Sequence, residues 1–309
     1  MSMGLLFPGQ GSQHPGMGRE LAMRYPVARE TFEEADDTLG FGLSGLAWEG
    51  SSTVLTATEN AQPALYVHSL AVYRVVRERL GAVAAAAGHS LGELSAHGAA
   101  GTYSFADGLR AVRRRGELMA RADTTTPGGM AAVLGLRAEA VAELCREAAE
   151  AGMTIVPANL NAKSQIVVSG EKAGIEWVAR VGADRGAKRV VKLSVSAAFH
   201  SPLMEPVAAE FREMLDGISF VPPSFPVVSN VTGEAVGDPD RIRRLLVRQL
   251  TSPVRWVDCI ARMRAMGVGR FAELGPGNVL AGLNRRNARG VPTVTLGAPE
   301  AIEATEDWP

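Results

Sequence analysis

The pentapeptide Gly88-His89-Ser90-Leu91-Gly92 admits few folds. A G-x-S-x-G run between a strand and a helix turns so sharply that neighbouring backbones crowd it, which is why glycine stands on both sides of the serine. Here an apolar run over residues 82–87 leads into the motif and a helical stretch begins at Glu93. Alanine is a poor strand former, so this run alone leans towards helix. Six small apolar residues bounded by glycines also suit a tightly packed central strand, and the context selects the strand. The turn would leave the serine Oγ exposed at a helix N-terminus, where the free N–H of Leu91 is placed to stabilise an oxyanion. The plain alternative is a tight glycine turn with a solvated serine.

Other segments extend an α/β reading. Residues 4–7 form an apolar run that ends in Pro8-Gly9-Gln10-Gly11-Ser12-Gln13, a buried strand entering a glycine-rich loop. Residues 61–80 place Leu65, Leu70, Val75 and Val76 at mostly helical spacing, with His68 on the polar side. From residue 130 the elements become short: strand 130–134, helix 138–150, strands 154–158 and 166–169, helix 173–184, strand 188–193. This β-α-β-β-α-β order is that of a ferredoxin-like unit, and Pro127-Gly128-Gly129 supplies a linker before it. The expected division is a larger α/β body from residues 1–126 and 197–309, with a ferredoxin-like subdomain inserted at 127–196. The acidic end, residues 300–309, is expected to fray.

A chain of 309 residues with 46% hydrophobic and 21% charged content has enough apolar surface for such a core. Its net charge of −1 argues against a general nucleic-acid binder. Cys145 and Cys259 are too few for a disulfide framework or a thiolate metal site. The first nine residues lack the basic and continuous apolar regions of a secretory signal, and no uninterrupted apolar run reaches the ~18 residues of a membrane span. The expectation is a cytoplasmic protein with no membrane association, metal or tightly bound cofactor.

A serine hydroxyl needs a base, and the chain has five histidines: His14, His68, His89, His97 and His200. His68 and His97 sit on expected helices, where structural or surface roles are the usual ones. His89 adjoins the serine, but neighbours at an elbow point different ways. His200 follows a strand and precedes a proline-marked helix start, a loop position from which a side chain can reach a site. Sequence alone leaves it level with the rest. Among Arg113, Arg114 and Arg115, a solvated basic stretch is the plain reading. A planar guanidinium holding a carboxylate by two parallel bonds is the sharper one.

Seven ordered segments together resemble the malonyl-CoA:acyl-carrier-protein transacylase family, which includes discrete polyketide synthase acyltransferases. They are Phe7-Pro8-Gly9-Gln10-Gly11-Ser12-Gln13, Gly88-His89-Ser90-Leu91-Gly92-Glu93, Arg115-Gly116-Glu117-Leu118-Met119, Asn159-Leu160-Asn161 with Val167-Val168-Ser169-Gly170, Ala198-Phe199-His200-Ser201-Pro202-Leu203-Met204, Gln249-Leu250 with Pro253-Val254-Arg255-Trp256, and Glu273-Leu274-Gly275-Pro276-Gly277. The resemblance spans nearly the whole chain. It implies an α/β-hydrolase-like large domain with an inserted ferredoxin-like small subdomain.

Carried over by motif, the resemblance makes Ser90 the nucleophile and His200 its base, with the backbone amides of Gln10 and Leu91 as the oxyanion hole. Removing one such donor typically costs roughly 3 kcal/mol of transition-state stabilisation. It also implies that a main-chain carbonyl at Gln249 orients His200, in place of an acidic third member, and that Arg115 clamps a malonyl carboxylate. Phe199 matches the malonyl-associated version of its motif, where a ring fills the space of an α-methyl, although core packing is its plain role. Methyl discrimination of this kind is worth about 1–3 kcal/mol.

The implied reaction is ping-pong transfer from coenzyme A to the phosphopantetheine thiol of an acyl carrier protein, in fatty acid or polyketide synthesis. The arginines at 241, 243, 244 and 248, with 285, 286 and 289, then either meet an acidic carrier helix or form solvated surface. Three rival readings stand beside this one: a discrete acyltransferase moving an unusual acyl group between carriers, a serine hydrolase clearing carriers, and a non-catalytic carrier-binding scaffold.

Overall fold

The computed structural model describes residues 2–125, 127–195 and 197–305. The expected junction residues Thr126 and Ser196 lie outside these, as do residues 306–309 of the acidic end.

The fold is mixed α/β with two sheets. In chain order the strands are β1 (Ser2–Phe7), β2 (Val83–Gly88), β3 (Gly128–Leu134), β4 (Ile155–Ala162), β5 (Gln165–Glu171), β6 (Arg189–Lys192), β7 (Val227–Val228), β8 (Ala235–Val236), β9 (Val268–Glu273) and β10 (Thr293–Thr295). The larger sheet runs β10-β9-β1-β2-β7-β8, parallel throughout except for β8 against β7.

Helices cover both faces of this sheet, which explains the near-continuous apolar character of its central strands. Along β1, Met3, Leu5 and Phe7 enter one core with Ala86 of β2, while Leu6 enters the other with Ala85 and Ala87. The first core receives the helices Thr58–Val76, Leu91–Ala99 and Phe105–Thr125; the second receives Trp256–Ala265 and Val279–Asn287. The alanines of β2 thus form a strand, despite weak intrinsic preference, because only small side chains let both helical layers close on it.

The smaller sheet is antiparallel in the order β4-β5-β3-β6. Between residues 128 and 192 the element order is β-α-β-β-α-β, with helices Ala138–Glu150 and Lys172–Val181. Alternation divides its strands cleanly. Ala131, Val133, Ile166 and Val168 pack under those two helices, whereas Met130, Ala158 and Val167 face the large body's first core. The edge strand β4 is tied to residue 254 by Leu160 N–H to Val254 O at 2.9 Å and Val254 N–H to Ala158 O at 2.8 Å.

The helix expected at 61–80 begins earlier, at Thr58, and passes into a 3-10 turn at Arg77–Arg79. Its first turn is polar, so apolar spacing does not register it. His68 proves fully buried on this helix rather than on a polar face, with Nε2 2.9 Å from the carbonyl oxygen of Gly297. No helix among the described residues is long and apolar enough to cross a membrane.

Candidate active site

Ser90 sits where β2 turns into the helix Leu91–Ala99, with φ 54° and ψ −112°, a left-handed backbone that costs energy for a residue with a Cβ. Backbone crowding makes the flanking glycines obligatory. A Cβ on Gly88 would lie 1.8 Å from the backbone carbon and oxygen of Gly92, and one on Gly92 would lie 2.1 Å from the carbonyl oxygen of Phe7. Asn230 braces the turn: Ser90 N–H donates to Asn230 Oδ1 at 2.8 Å, and Asn230 Nδ2 donates to Gly88 O at 2.8 Å.

His200 Nε2 lies 2.7 Å from Ser90 Oγ, and its Nδ1 lies 2.8 Å from the main-chain oxygen of Gln249. A carbonyl oxygen only accepts, so Nδ1 carries the hydrogen and Nε2 offers its lone pair to the serine. Burial, reinforced by the nearby Arg115 charge, pushes the His200 pKa down to about 3 and keeps the imidazole neutral. Like Ser90 it has a positive φ, 59°. None of the other histidines bonds Ser90 Oγ, although His89 lines the same cleft. His89 Nε2 lies 2.7 Å from Asn161 Oδ1 and its ring stands 5.5 Å from that of Trp256; His97 is buried with Nδ1 3.0 Å from Thr102 Oγ1; His14 is at the surface.

Arg115 projects from the helix Phe105–Thr125 and is only 1% exposed. Its Nη1 donates to Gln62 Oε1 at 2.8 Å, and its Nη2 donates to Gln249 Oε1 at 2.9 Å and to Ser90 Oγ at 3.2 Å. Its Nε has no partner, and none of its contacts is an ion pair with a carboxylate. Burial lowers its pKa to about 10, with Glu93 acting in the opposite direction, so it remains a cation at neutral pH. Its neighbours diverge as helical geometry requires: Arg113 pairs with Glu117 and Arg114 with Glu210.

These groups open into a cleft of about 350 Å³ lined by Gln10, Leu91, Met119, Met130 and Phe199 beside Ser90, Arg115 and His200. Phe199 is both core and wall, 7% exposed and packed with the first core. Gln10 lies on the loop after β1, its Nε2 donating to Thr58 Oγ1 at 3.2 Å. Leu91 is the first residue of its helix, where backbone N–H groups lack intrahelical acceptors. All seven residues expected at the site converge here, Gln249 entering through its contacts with His200 and Arg115.

Sequence reasoning missed Gln62 and Asn230, and saw Glu93 only as the end of a motif. Glu93 and Gln249 are buried beneath Ser90 and bonded to one another. The segment Ser229-Asn230-Val231-Thr232-Gly233 was the available signal for Asn230, a polar loop following a two-residue apolar strand. Arg243 is engaged inside the protein, donating to Leu215 O and Ile218 O and lying 4.8 Å over the Phe220 ring, so it is a strut rather than a free docking charge. Among the described residues no cluster of His, Cys, Asp and Glu has the makings of a metal site.

The acyl transferase domain family matches residues 5–298 of the chain. The malonyl CoA-acyl carrier protein transacylase of Bacillus subtilis (strain 168) is 44% identical over 298 residues, covering 96% of this chain and 94% of the relative. Among solved structures, an acyl carrier protein S-malonyltransferase from Vibrio cholerae aligns with a TM-score of 0.95 at 39% identity, over 99% of this chain and 100% of the other. A malonyl-transacylase solved in complex with its type II PKS acyl-carrier protein aligns with the same TM-score and identity over 99% of each chain.

Proposed function

The chain belongs to the acyl transferase domain family, and from that membership together with the geometry of the cleft we propose that it carries a malonyl group from coenzyme A to the phosphopantetheine thiol of an acyl carrier protein, through an ester on Ser90. The observation that carries the choice of acyl group is Arg115. A buried guanidinium whose direct hydrogen bonds go only to neutral amides and a hydroxyl, with Glu93 acting on it only through space, is a charge that a directly bound anion stabilises. The free carboxylate of malonyl supplies that anion beside the nucleophile; acetyl supplies none.

In the first half-reaction His200 Nε2 takes the Ser90 hydroxyl proton as Oγ attacks the thioester carbon. Charge gathers on the carbonyl oxygen, for which the Leu91 and Gln10 amides are the proposed donors. The carbon–sulfur bond then breaks and coenzyme A leaves with the proton held by His200. In the second half-reaction the carrier's thiol gives its proton to Nε2, its sulfur attacks the ester carbon, and Oγ recovers the proton. The Nδ1–H bond to Gln249 O stabilises the imidazolium in both passages without an acidic partner. Phe199 closes the space an α-methyl would need.

The finer architecture belongs to the same proposal: an α/β-hydrolase-like body formed by residues 1–126 and 197–309, and a ferredoxin-like subdomain at 127–196. The strand-turn-helix at Ser90 supports the first and the β-α-β-β-α-β order the second.

The test is intact-protein mass after incubation with malonyl-, methylmalonyl- and acetyl-coenzyme A, followed by addition of a phosphopantetheinylated carrier. A malonyl adduct that requires Ser90 and Arg115, and that then moves to the carrier, is the expected result. Folded protein that takes no adduct from coenzyme A, or loses it to water as fast with the carrier as without, overturns the reading in favour of carrier-to-carrier transfer or hydrolysis.

A further inference from the structure

We propose that Glu93 is a positioning residue for the acyl group: it fixes which end of the Gln249 amide faces Arg115, and so holds the guanidinium where a malonyl carboxylate meets it. The inference rests on the malonyl-transfer reading above. Glu93 stands in the first turn of the helix Leu91–Ala99, yet its side chain is turned into the protein and is 1% exposed. Its Oε2 accepts from Gln249 Nε2 at 2.6 Å and from the Asn230 N–H at 3.1 Å.

Gln249 Nε2 meets two further acceptors, Ser90 O at 3.0 Å and Asn230 Oδ1 at 3.2 Å. An amide with three acceptors on one side presents its NH2 there, and its oxygen is left to face the other way. That oxygen accepts from Arg115 Nη2 at 2.9 Å. Turned through half a rotation, the amide would set a carbonyl oxygen against the oxygens of Ser90, Asn230 and ionised Glu93, and an NH2 against the guanidinium, and these contacts would be repulsive. Glu93 makes the shortest of the three bonds and also pins Asn230, a second of the acceptors, through its backbone. Its side chain makes no hydrogen bond to Ser90 Oγ and Glu93 does not itself line the cleft, so its side-chain route to Arg115 passes through Gln249.

A role confined to stability would affect all substrates equally, whereas this role distinguishes substrates with a carboxylate from those without. The measurement is kcat/KM for ester formation on Ser90 from malonyl- and acetyl-coenzyme A in wild type, Glu93→Ala and Glu93→Gln. Glu93→Ala is expected to lower the malonyl value about tenfold while the acetyl value stays within about threefold. In Glu93→Gln the amide oxygen replaces Oε2 as acceptor, and the malonyl-to-acetyl ratio stays within about threefold of wild type. Equal loss of both rates in folded Glu93→Ala, or a collapsed ratio in folded Glu93→Gln, overturns the proposal. Should Glu93→Ala not fold, Glu93→Met keeps the length without the acceptor and carries the same test. Wild type that forms no malonyl ester would defeat the transfer reading itself and this inference with it, an outcome distinct from failure in the variants alone.

Discussion

His200 Nδ1 lies 2.8 Å from the main-chain oxygen of Gln249, while the side-chain oxygen of the same glutamine lies 2.9 Å from Arg115 Nη2. One residue therefore orients the base with its backbone and the carboxylate clamp with its amide. Gln249→Ala separates the two tasks, since it retains the carbonyl and removes the amide. Stopped-flow acylation is expected to show malonyl ester formation reduced about tenfold, with acetyl ester formation changed much less. Equal losses would mean that the backbone carbonyl had moved as well.

The neutral state of His200 has consequences for pH. With its pKa held at about 3, the base is available without protonation limits down to about pH 4, so the acylation rate should show no limb near 6.5. A limb at 6 to 7 in single-turnover acylation from acetyl-coenzyme A, a substrate with no carboxylate for the Glu93–Gln249–Arg115 arrangement to hold, would show that His200 titrates as an exposed imidazole.

Stability responds to pH through the same buried groups. Burial lowers the pKa values of His68 to about 4, of His97 and His200 to about 3, and that of His89 in the same direction. Below about 6.5 the unfolded chain takes up protons on these four histidines that the folded chain does not, so stability falls with acid. Glu93, raised to about 7, and Glu273, also raised by burial, act oppositely, since the folded state then binds protons the unfolded carboxylates release above about 4.5. Four histidines outnumber two carboxylates, and the urea midpoint is expected to rise from pH 5 to pH 6.5. A flat or falling midpoint would contradict the balance.

The elbow tolerates no side chain at its two glycines. Gly92→Ala would bring a Cβ to 2.1 Å from the Phe7 carbonyl oxygen, a backbone atom of the central strand that cannot step aside. Urea unfolding should show a loss of about 3 kcal/mol or more. A loss under about 1 kcal/mol would mean that the strand and helix separate more easily than their packing indicates.

Phe199→Ala enlarges the cleft beside Ser90, and competition between malonyl- and methylmalonyl-coenzyme A is expected to show the malonyl preference reduced by about 1–3 kcal/mol. An unchanged preference would assign Phe199 to the core alone.

The elements legible in the sequence were those governed by neighbouring residues. Glycines at 88 and 92 declare a sharp turn, apolar runs declare β1 and β2, and the short segments from 128 to 192 declare the chain order of the smaller sheet's elements, whereas β7, β8, β9 and β10 were not read from the sequence. The motif resemblance named Ser90, His200, Arg115 and Gln249, and the fold brings all four together. Surface against interior was harder to read: His68 lies on a helix whose sequence pattern suggests a polar side, but the carbonyl of Gly297, 229 residues away, covers it.

The sequence by itself determined the strand-turn-helix around Ser90, because turn sterics and side-chain periodicity act over a few residues. Only the tertiary structure decided what surrounds that serine. Ser90 meets His200 across 110 residues, Asn230 across 140 and Gln249 across 159, and Arg115 finds Gln62 rather than a carboxylate. Hydrogen bonds between residues so far apart depend on the packing of both sheets, and no local spacing specifies whether a buried guanidinium will find an anion inside the protein or await one from its substrate.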